Sequence, residues 1–262
     1  MPTSVTRYFR LVTVLSVPFY ALSAMGFRLP GVAMLPLSAL MAIVPTLAAL
    51  LVVYWEEGTN GAAMLLKSAR DLNKDQGAKW YLAALLFMPA VSVVEFVTLR
   101  VTGSVIPYPQ FALSELLGVF VLFFIGAIGE EIGWQGYAYP LLRTRASALT
   151  AAVGLGGFWA LWHVIPFVEL GRSAHWILWH SLSAVAMRII IVWLFENTRR
   201  TVVIAVLFHT MINVSWALFP VSGSYYNPFV TFLILAAAVG LIIARGGLRW
   251  PDPGFVRVAG CR

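Results

Sequence analysis

The sequence predicts an all-α, polytopic transmembrane helical bundle of about eight spans, and three observations support this fold class. Hydrophobic residues make up 60% of the 262 residues and charged residues only 11%, unlike a water-soluble globular domain. The mean hydropathy is correspondingly high, at +0.85. Apolar runs of about 20 residues, the length that a helix needs to cross a hydrocarbon core of about 30 Å, recur along the whole chain.

The predicted spans use up almost the entire sequence, so we treat residues 1–262 as a single integral-membrane domain. The first span follows Arg7 and Arg10 and looks like a secretory signal. A retained helix is favoured, because its removal would place the N-terminus on the side opposite to the one that the later loops predict. The longest linker, 55–79, contains an apolar stretch, AAMLLKSA, that is predicted to lie along the membrane surface. The spans are 9–27, 33–54, 80–99, 113–139, 149–167, 175–195, 201–218 and 227–244.

The basic residues predict the orientation of the chain in the membrane and give no reason to expect a nucleic-acid partner. Most of the 18 basic residues lie at the N-terminus and in every second loop, whereas the opposite loops hold only Arg28, Arg100 and Arg172. Because cytoplasmic loops are rich in Lys and Arg, both termini are expected in the cytoplasm. The net charge of +7 is explained by orientation and contact with anionic lipid, so no nucleic-acid partner is expected. Arginine outnumbers lysine, which associates the chain with a bacterial plasma membrane, and the single cysteine, Cys261, excludes an internal disulfide.

The predicted spans contain a short set of polar and ionisable side chains. Such a side chain in hydrocarbon costs several kcal/mol unless it is paired or hydrated, so each one is a candidate functional residue. Separate interhelical hydrogen bonds are the structural alternative, and they are favoured for Glu95 and His180, which lie nearer the outer ends of their spans. The set is Glu95, Glu130, Glu131, His163, His180, Arg188, His209 and Asn213.

Five of these side chains have the chemistry of a hydrolase site. Glu130 and Glu131 are adjacent in the fourth span, and His209 and Asn213, four residues apart, share one face of the seventh. His163 lies in the fifth span. A carboxylate can take a proton from water, while imidazoles and an amide can bind a metal or stabilise an oxyanion. Direct attack by water is expected, since no serine or cysteine is placed beside a base.

The glycines of the fourth span leave two interpretations open. They recur every three or four residues, which allows either close helix packing or a local opening on one face. They are Gly126, Gly129, Gly133 and Gly136.

Three motifs in this region resemble those of the CPBP family, the CAAX proteases and bacteriocin-processing enzymes also called the Abi family. The stretch GEEIGWQGYAYPLL, residues 129–142, is similar to the EExxxR motif. FWALWHVIPF resembles the second motif, an aromatic residue followed four positions later by a histidine, here Trp159 and His163. HTMIN, residues 209–213, resembles HxxxN, so that the signature region covers 113–218.

The resemblance implies roles for these residues. Glu130 would activate the attacking water with help from His163, and Glu131 would be the supporting carboxylate. His209 and Asn213 would stabilise the oxyanion or help to hold a divalent metal. Zinc bound by His163, His209 and Glu130 and a glutamate-activated water without a metal both remain open, because these ligand types suit either.

This chain departs from the family pattern at two positions. Gln135 occupies the position of the motif arginine, so a cation that should pair with a glutamate is missing. We expect Arg188, from the sixth span, to replace it. Trp159 stands where the family usually has phenylalanine, with Phe158 beside it.

The predicted function is that of an intramembrane endopeptidase, of the CAAX or the bacteriocin-processing or immunity type, acting on a membrane-associated protein or peptide. The alternative is a catalytically silent immunity or scaffold protein of the same fold, with Gln135 disabling the site. A proton-coupled transporter is less favoured, because no repeated half with a matching broken helix is present. The sequence leaves the substrate and the oligomeric state open.

Overall fold

Helices dominate the chain, as the composition predicts. The computed structural model describes residues 2–27, 36–68 and 77–248, and the predictions for Arg28 and Cys261 lie outside these ranges. A 3-10 helix, Leu37–Ile43, precedes α2, and a π-helical segment, Ile132–Ala138, joins α4 to α5. The α-helices are α1 (Pro2–Ala24), α2 (Val44–Ser68), α3 (Ala78–Val101), α4 (Leu113–Glu131), α5 (Tyr139–Arg143), α6 (Ala148–Trp162), α7 (Val164–Glu169), α8 (Ala174–Glu196), α9 (Val202–Ala217) and α10 (Pro228–Ala244).

A helix lies at each of the eight predicted spans, which confirms the all-α class. Among the described residues, five continuous helical segments are long and apolar enough to cross a membrane. Two further apolar helices, α9 and α10, are shorter, at 16 and 17 residues. The five long segments are Leu37–Lys67, Ala78–Val101, Leu113–Arg143, Ala148–Glu169 and Ala174–Glu196. The chain is therefore an integral-membrane helical bundle.

The second helix is longer than the sequence predicts. It continues through the first half of the predicted linker as far as Ser68, with a break at Gly58, where φ is +69°. Glycine suits this position because a Cβ disfavours positive φ. The apolar stretch of the linker is accordingly helical up to Ser68, and its location at a membrane surface stays a prediction.

Helix α9 occupies the centre of the bundle. It packs against α3, α4 and α8, while α8 packs in turn against α6 and α10. Ile204, Ala205 and Phe208 on α9 are completely buried. This arrangement places the middle of α9 beside the C-terminal half of α4 and the C-terminal half of α6. The three helices that carry the predicted site therefore meet inside the bundle.

The glycines of α4 and the π-helical segment serve both of the predicted purposes. Gly129 lies against the backbone at Ala42, where an added Cβ would be 2.7 Å from the carbonyl oxygen. An added Cβ at Gly133 would overlap the carbonyl group of Pro45, so these two glycines permit close helix approach. A Cβ at Gly126 would meet no atom within 4 Å. Gly126 faces an internal cavity, and this face of the helix is open.

We predict that Gly133→Ala lowers the free energy of unfolding, because the new methyl group must displace the Pro45 backbone. Overpacking of this kind costs about 1–3 kcal/mol. Gly126→Ala is the matched control on the same helix and should leave stability unchanged. Thermal unfolding of both variants in detergent measures the difference. Equal melting temperatures for Gly133→Ala and the unmodified protein would contradict the close-packing interpretation.

Candidate active site

A cavity of about 310 Å³ lies inside the bundle, and most of the predicted site residues line it. Its walls come from the 3-10 helix, from α3 and α4, and from α6 to α10. The walls are largely apolar, and no lysine or arginine is among the described residues that line the cavity. The carboxylate, imidazole and amide side chains in its lining are Glu95, Glu130, His163, His180, His209 and Asn213.

The two adjacent glutamates point in different directions. Neighbouring residues on a helix are rotated by about 100° relative to each other, so the two carboxylates enter different surroundings. Glu130 lines the cavity, whereas Glu131 is completely buried behind its wall. The two carboxylates therefore have separate environments although they are neighbours in the sequence.

Glu131 is held by an ion pair with Arg188. Nη1 of Arg188 donates to Oε2 of Glu131 at 2.7 Å, and Nη2 donates to Oε1 at 3.0 Å. Both side chains are 0% exposed. Buried charges require such pairing, because the loss of hydration costs each ion several kcal/mol. The bidentate geometry also fixes the plane of the carboxylate.

His209 connects this buried pair to the cavity. Its Nδ1 lies 2.8 Å from Oε1 of Glu131, and as a carboxylate oxygen only accepts, Nδ1–H is the donor. The other ring nitrogen, Nε2, faces Glu130 Oε1 at 4.0 Å. This separation is too long for a hydrogen bond, but a water molecule about 2.8 Å from each atom would bridge it.

The second oxygen of Glu130 is held by two tryptophans. The indole N–H of Trp159 donates to Glu130 Oε2 at 2.8 Å, and that of Trp134 donates to the same oxygen at 3.1 Å. Both contacts are buried. Oε2 is therefore occupied, and Oε1 is the oxygen directed toward His209.

His163 and Asn213 complete the lining near the glutamate. His163 lies at the junction between α6 and α7, and its Nδ1 is 2.9 Å from the backbone oxygen of Trp159. Since this oxygen accepts, Nδ1–H donates, and Nε2 is the atom left for a ligand. Asn213 follows His209 by one turn of α9 and lines the same cavity. The structure thus brings residues from three separate motifs to one cavity.

Gln135 contacts neither glutamate, although it stands at the position of the motif arginine. It is 0% exposed, and neither its side-chain oxygen nor its nitrogen has a hydrogen-bond partner among the described residues. Arg188 makes the guanidinium–carboxylate contact instead, from α8. The cation near the glutamates thus comes from a different helix than in the family pattern.

Glu95 and His180 line the cavity at a distance from the predicted site and make interhelical hydrogen bonds. Glu95 Oε2 accepts from the Thr231 hydroxyl at 2.6 Å, and Oε1 accepts from the backbone N–H of Asn227 at 2.7 Å. His180 Nδ1 lies 3.4 Å from the hydroxyl of Tyr226. These contacts agree with the structural alternative that the sequence favours for both residues.

Trp134 is a contact of the site that the sequence analysis did not single out. The signal was present, because Trp134 follows Glu130 by four residues, the spacing at which helix side chains meet. The π-helical segment begins between them and still leaves the indole within reach of the carboxylate. Such segments occur frequently at functional sites.

The side chains around Glu130 do not form the donor set of a zinc site. Within the described ranges there is no group of three or more His, Cys, Asp or Glu side chains arranged to hold a metal ion. A catalytic zinc requires three protein ligands. The atoms left for one are Oε1 of Glu130 and the Nε2 atoms of His163 and His209, because two indoles take Oε2 and both Nδ1 atoms are hydrogen-bonded, but these three side chains are not arranged as a metal site. The expected zinc stays a prediction, and no step below depends on a metal.

Comparison with known proteins agrees with the motifs. The family model "Type II CAAX prenyl endopeptidase Rce1-like" matches residues 112–215. A CAAX prenyl protease 2 from Methanococcus maripaludis is 30% identical to this chain over an alignment of 169 residues. The alignment covers 59% of this chain. The aligned region spans 62% of that relative's length. These matches confirm the resemblance to the CPBP family of CAAX proteases.

We predict strong energetic coupling between Arg188 and Glu131. Either Arg188→Gln or Glu131→Gln leaves one charge buried without its partner, which costs about 3–5 kcal/mol of stability. The double variant removes both charges and should be more stable than the sum of the single effects implies. Thermal unfolding of all four proteins in detergent gives the coupling free energy.

The partly exposed pair Arg7–Glu56, at 3.5 Å, provides the control for this cycle. The same substitutions there should show a coupling of only about 0.2–1 kcal/mol. Equal coupling energies for the buried and the exposed pair would contradict a structural role for the Glu131–Arg188 ion pair.

Proposed function

We propose that this chain, which resembles the CAAX proteases of the CPBP family over residues 112–215, is an intramembrane endopeptidase that uses a glutamate-activated water. One observation carries the proposal. Oε1 of Glu130 faces Nε2 of His209 across 4.0 Å at the wall of a cavity, so a water can bind between a carboxylate and an imidazole. A positioned carboxylate and water are the requirements of general-base hydrolysis.

The proposed reaction begins with a water held between Glu130 Oε1 and His209 Nε2. The water oxygen attacks the carbonyl carbon of the scissile peptide bond while Oε1 takes one of its protons. Collapse of the tetrahedral intermediate breaks the C–N bond, and the proton held by Glu130 passes to the leaving nitrogen. His163, with Nε2 directed away from its backbone contact, assists by hydrogen bonding to the water or to the substrate.

The oxyanion of the tetrahedral intermediate requires hydrogen-bond donors that are already in place. Asn213 can donate from its side-chain amide, since it lies one turn from His209 on the same cavity wall. His209 adds a second donor when Nε2 carries a proton, since its Nδ1–H contact with Glu131 orients the ring so that Nε2 faces Glu130 at the cavity wall. Glu131 has no direct part in the reaction and acts by orienting the imidazole.

The substrate of this reaction is a membrane-associated protein or peptide. The cavity wall is largely apolar, and on one side it includes exposed side chains of the 3-10 helix and of α4. These are Leu40, Ile43, Leu122 and Ile125, with exposed fractions of 44, 50, 38 and 64%. In a membrane they face lipid, so an apolar substrate can approach from that side. The distribution of basic residues supports an orientation with both termini in the cytoplasm.

We predict that Glu130→Gln and His209→Ala abolish cleavage of membrane-peptide substrates by the purified protein. Loss of the general base should lower kcat by about 100-fold or more, and loss of the imidazole by a similar factor. The measurement is the rate of product formation in detergent at matched folded fractions. Two matched controls, Glu115→Gln and His175→Ala, change exposed residues outside the cavity and should retain full activity.

The same assay separates the proposal from its alternatives. Cleavage that survives both substitutions would place the activity elsewhere in the chain. If the unmodified protein cleaves none of the membrane-peptide substrates tested, the result would support the alternative of a catalytically silent scaffold or immunity protein. Proton movement into liposomes without cleavage would indicate the transporter.

We further predict that cleavage survives removal of divalent metals. The proposed base and donors are side chains, and the donor geometry around Glu130 does not provide three ligands for zinc. The test is to measure activity and bound zinc before and after dialysis against a strong chelator. Loss of activity that zinc alone restores would assign the metal a role and overturn this prediction.

A further inference from the structure

Trp159 contacts four ionisable side chains at the proposed site, namely Glu130, His163, Arg188 and His209. Its indole N–H donates to Glu130 at 2.8 Å, and the guanidinium carbon of Arg188 lies 4.5 Å from its ring centroid. Its ring meets those of His209 and His163 edge to face, with centroids 5.1 and 5.4 Å apart. Its backbone oxygen accepts from His163 Nδ1 at 2.9 Å. The residue is 4% exposed.

The indole N–H has a specific geometric consequence for Glu130. The two oxygens of a carboxylate are chemically equivalent, and rotation of the group would exchange them. Here two N–H donors, from Trp159 and Trp134, converge on Oε2 from different helices. A partial rotation would break both hydrogen bonds, which are buried and therefore cannot be replaced by water, and a half turn would only exchange the two equivalent oxygens. Oε1 is thus fixed in the position that faces His209.

A phenylalanine at position 159 would lack this contact. The phenylalanine that the family motif usually has there supplies an aromatic face and edge, and these account for the packing on Arg188 and on the two histidines. Only tryptophan adds an N–H at the correct edge of the ring. Trp134, four residues after Glu130, supplies a second N–H to the same oxygen. Trp134 occupies an unspecified position of the EExxxR motif, and position 159 is usually phenylalanine, so the motifs do not predict this pair of N–H donors.

We propose that Trp159 is a positioning residue whose indole N–H, together with that of Trp134, holds Glu130 Oε2 and thereby presents Oε1 to the attacking water. This inference rests on the proposed endopeptidase function. The ring of Trp159 keeps a packing role, through its contacts with Arg188, His163 and His209, and the N–H adds a role in the reaction.

The test is Trp159→Phe, which keeps the aromatic ring and removes the N–H. We expect kcat to fall by about 10- to 100-fold, the effect of losing one hydrogen bond to a charged group, while KM stays within about twofold. Trp179→Phe is the matched control, because the Trp179 N–H is also buried but has no acceptor among the described residues and lies outside the cavity. It should change neither constant.

A spectroscopic measurement separates the hydrogen bond from the activity. In protein labelled with ¹⁵N at the indole nitrogens, the Trp134 and Trp159 signals are assigned by their loss in the two Trp→Phe variants. Replacing the carboxylate with an amide in Glu130→Gln should shift both signals and leave that of Trp179 unchanged. If Trp159→Phe fails to fold, Trp134→Phe removes the other donor and should show the same fall in kcat with unchanged KM.

The outcomes are distinct. Indole signals that do not respond to Glu130→Gln would overturn the hydrogen-bond pair itself. If the indole signals respond but kcat is unaffected by the loss of either N–H, the positioning role is overturned and Trp159 has only a packing role. If the unmodified protein cleaves nothing, the proposed function fails and the positioning role fails with it. In that case a response of the indole signals would show that the hydrogen bonds exist without serving this reaction.

Discussion

The structure of the site depends on the burial of a charged pair in a medium that does not hydrate ions. Glu131 and Arg188 are both 0% exposed, and each is tolerable only because the other is present. Their bidentate contact joins α4 to α8, and the contact of Glu131 with His209 adds α9. Three helices are therefore fixed relative to one another at the depth where the cavity lies. The position of the His209 imidazole follows from this electrostatic requirement.

Helix geometry gives the two adjacent glutamates different partners. Because adjacent side chains diverge by about 100°, one carboxylate can be fully paired while its neighbour keeps an oxygen directed into the cavity. Glu131 is held by a guanidinium and an imidazole, and Glu130 by two neutral indole donors. A cation bound directly to Glu130 would compete with its use as a base. The indoles orient it without supplying a countercharge.

The sequence was sufficient for the helices and for most of the ionisable residues that meet at the cavity, while the catalytic roles of these residues stay predictions. The apolar runs predicted the α-helices to within a few residues at most boundaries, because the length of an apolar run is set by the thickness of the bilayer. The exceptions are local backbone events: the continuation of α2 beyond Gly58 and the π-helical segment after Glu131. The π-helical segment lies where Gly133 closely approaches Pro45, a contact between helices that hydropathy along one helix does not encode.

The sequence by itself determined that Glu130, Glu131, His163, His209 and Asn213 lie in membrane helices and have the chemistry of a hydrolase site. It also indicated, from the motif position taken by Gln135, that a cation had to come from elsewhere. Only the tertiary structure decided that Arg188 pairs with Glu131, that Glu130 Oε1 faces His209, and that two tryptophans hold the other oxygen. The physical reason is that charge and polarity can be read along one chain. Which atoms meet depends on the rotation and separation of helices that are distant in the sequence, as for Glu131 and His209, which are 78 residues apart.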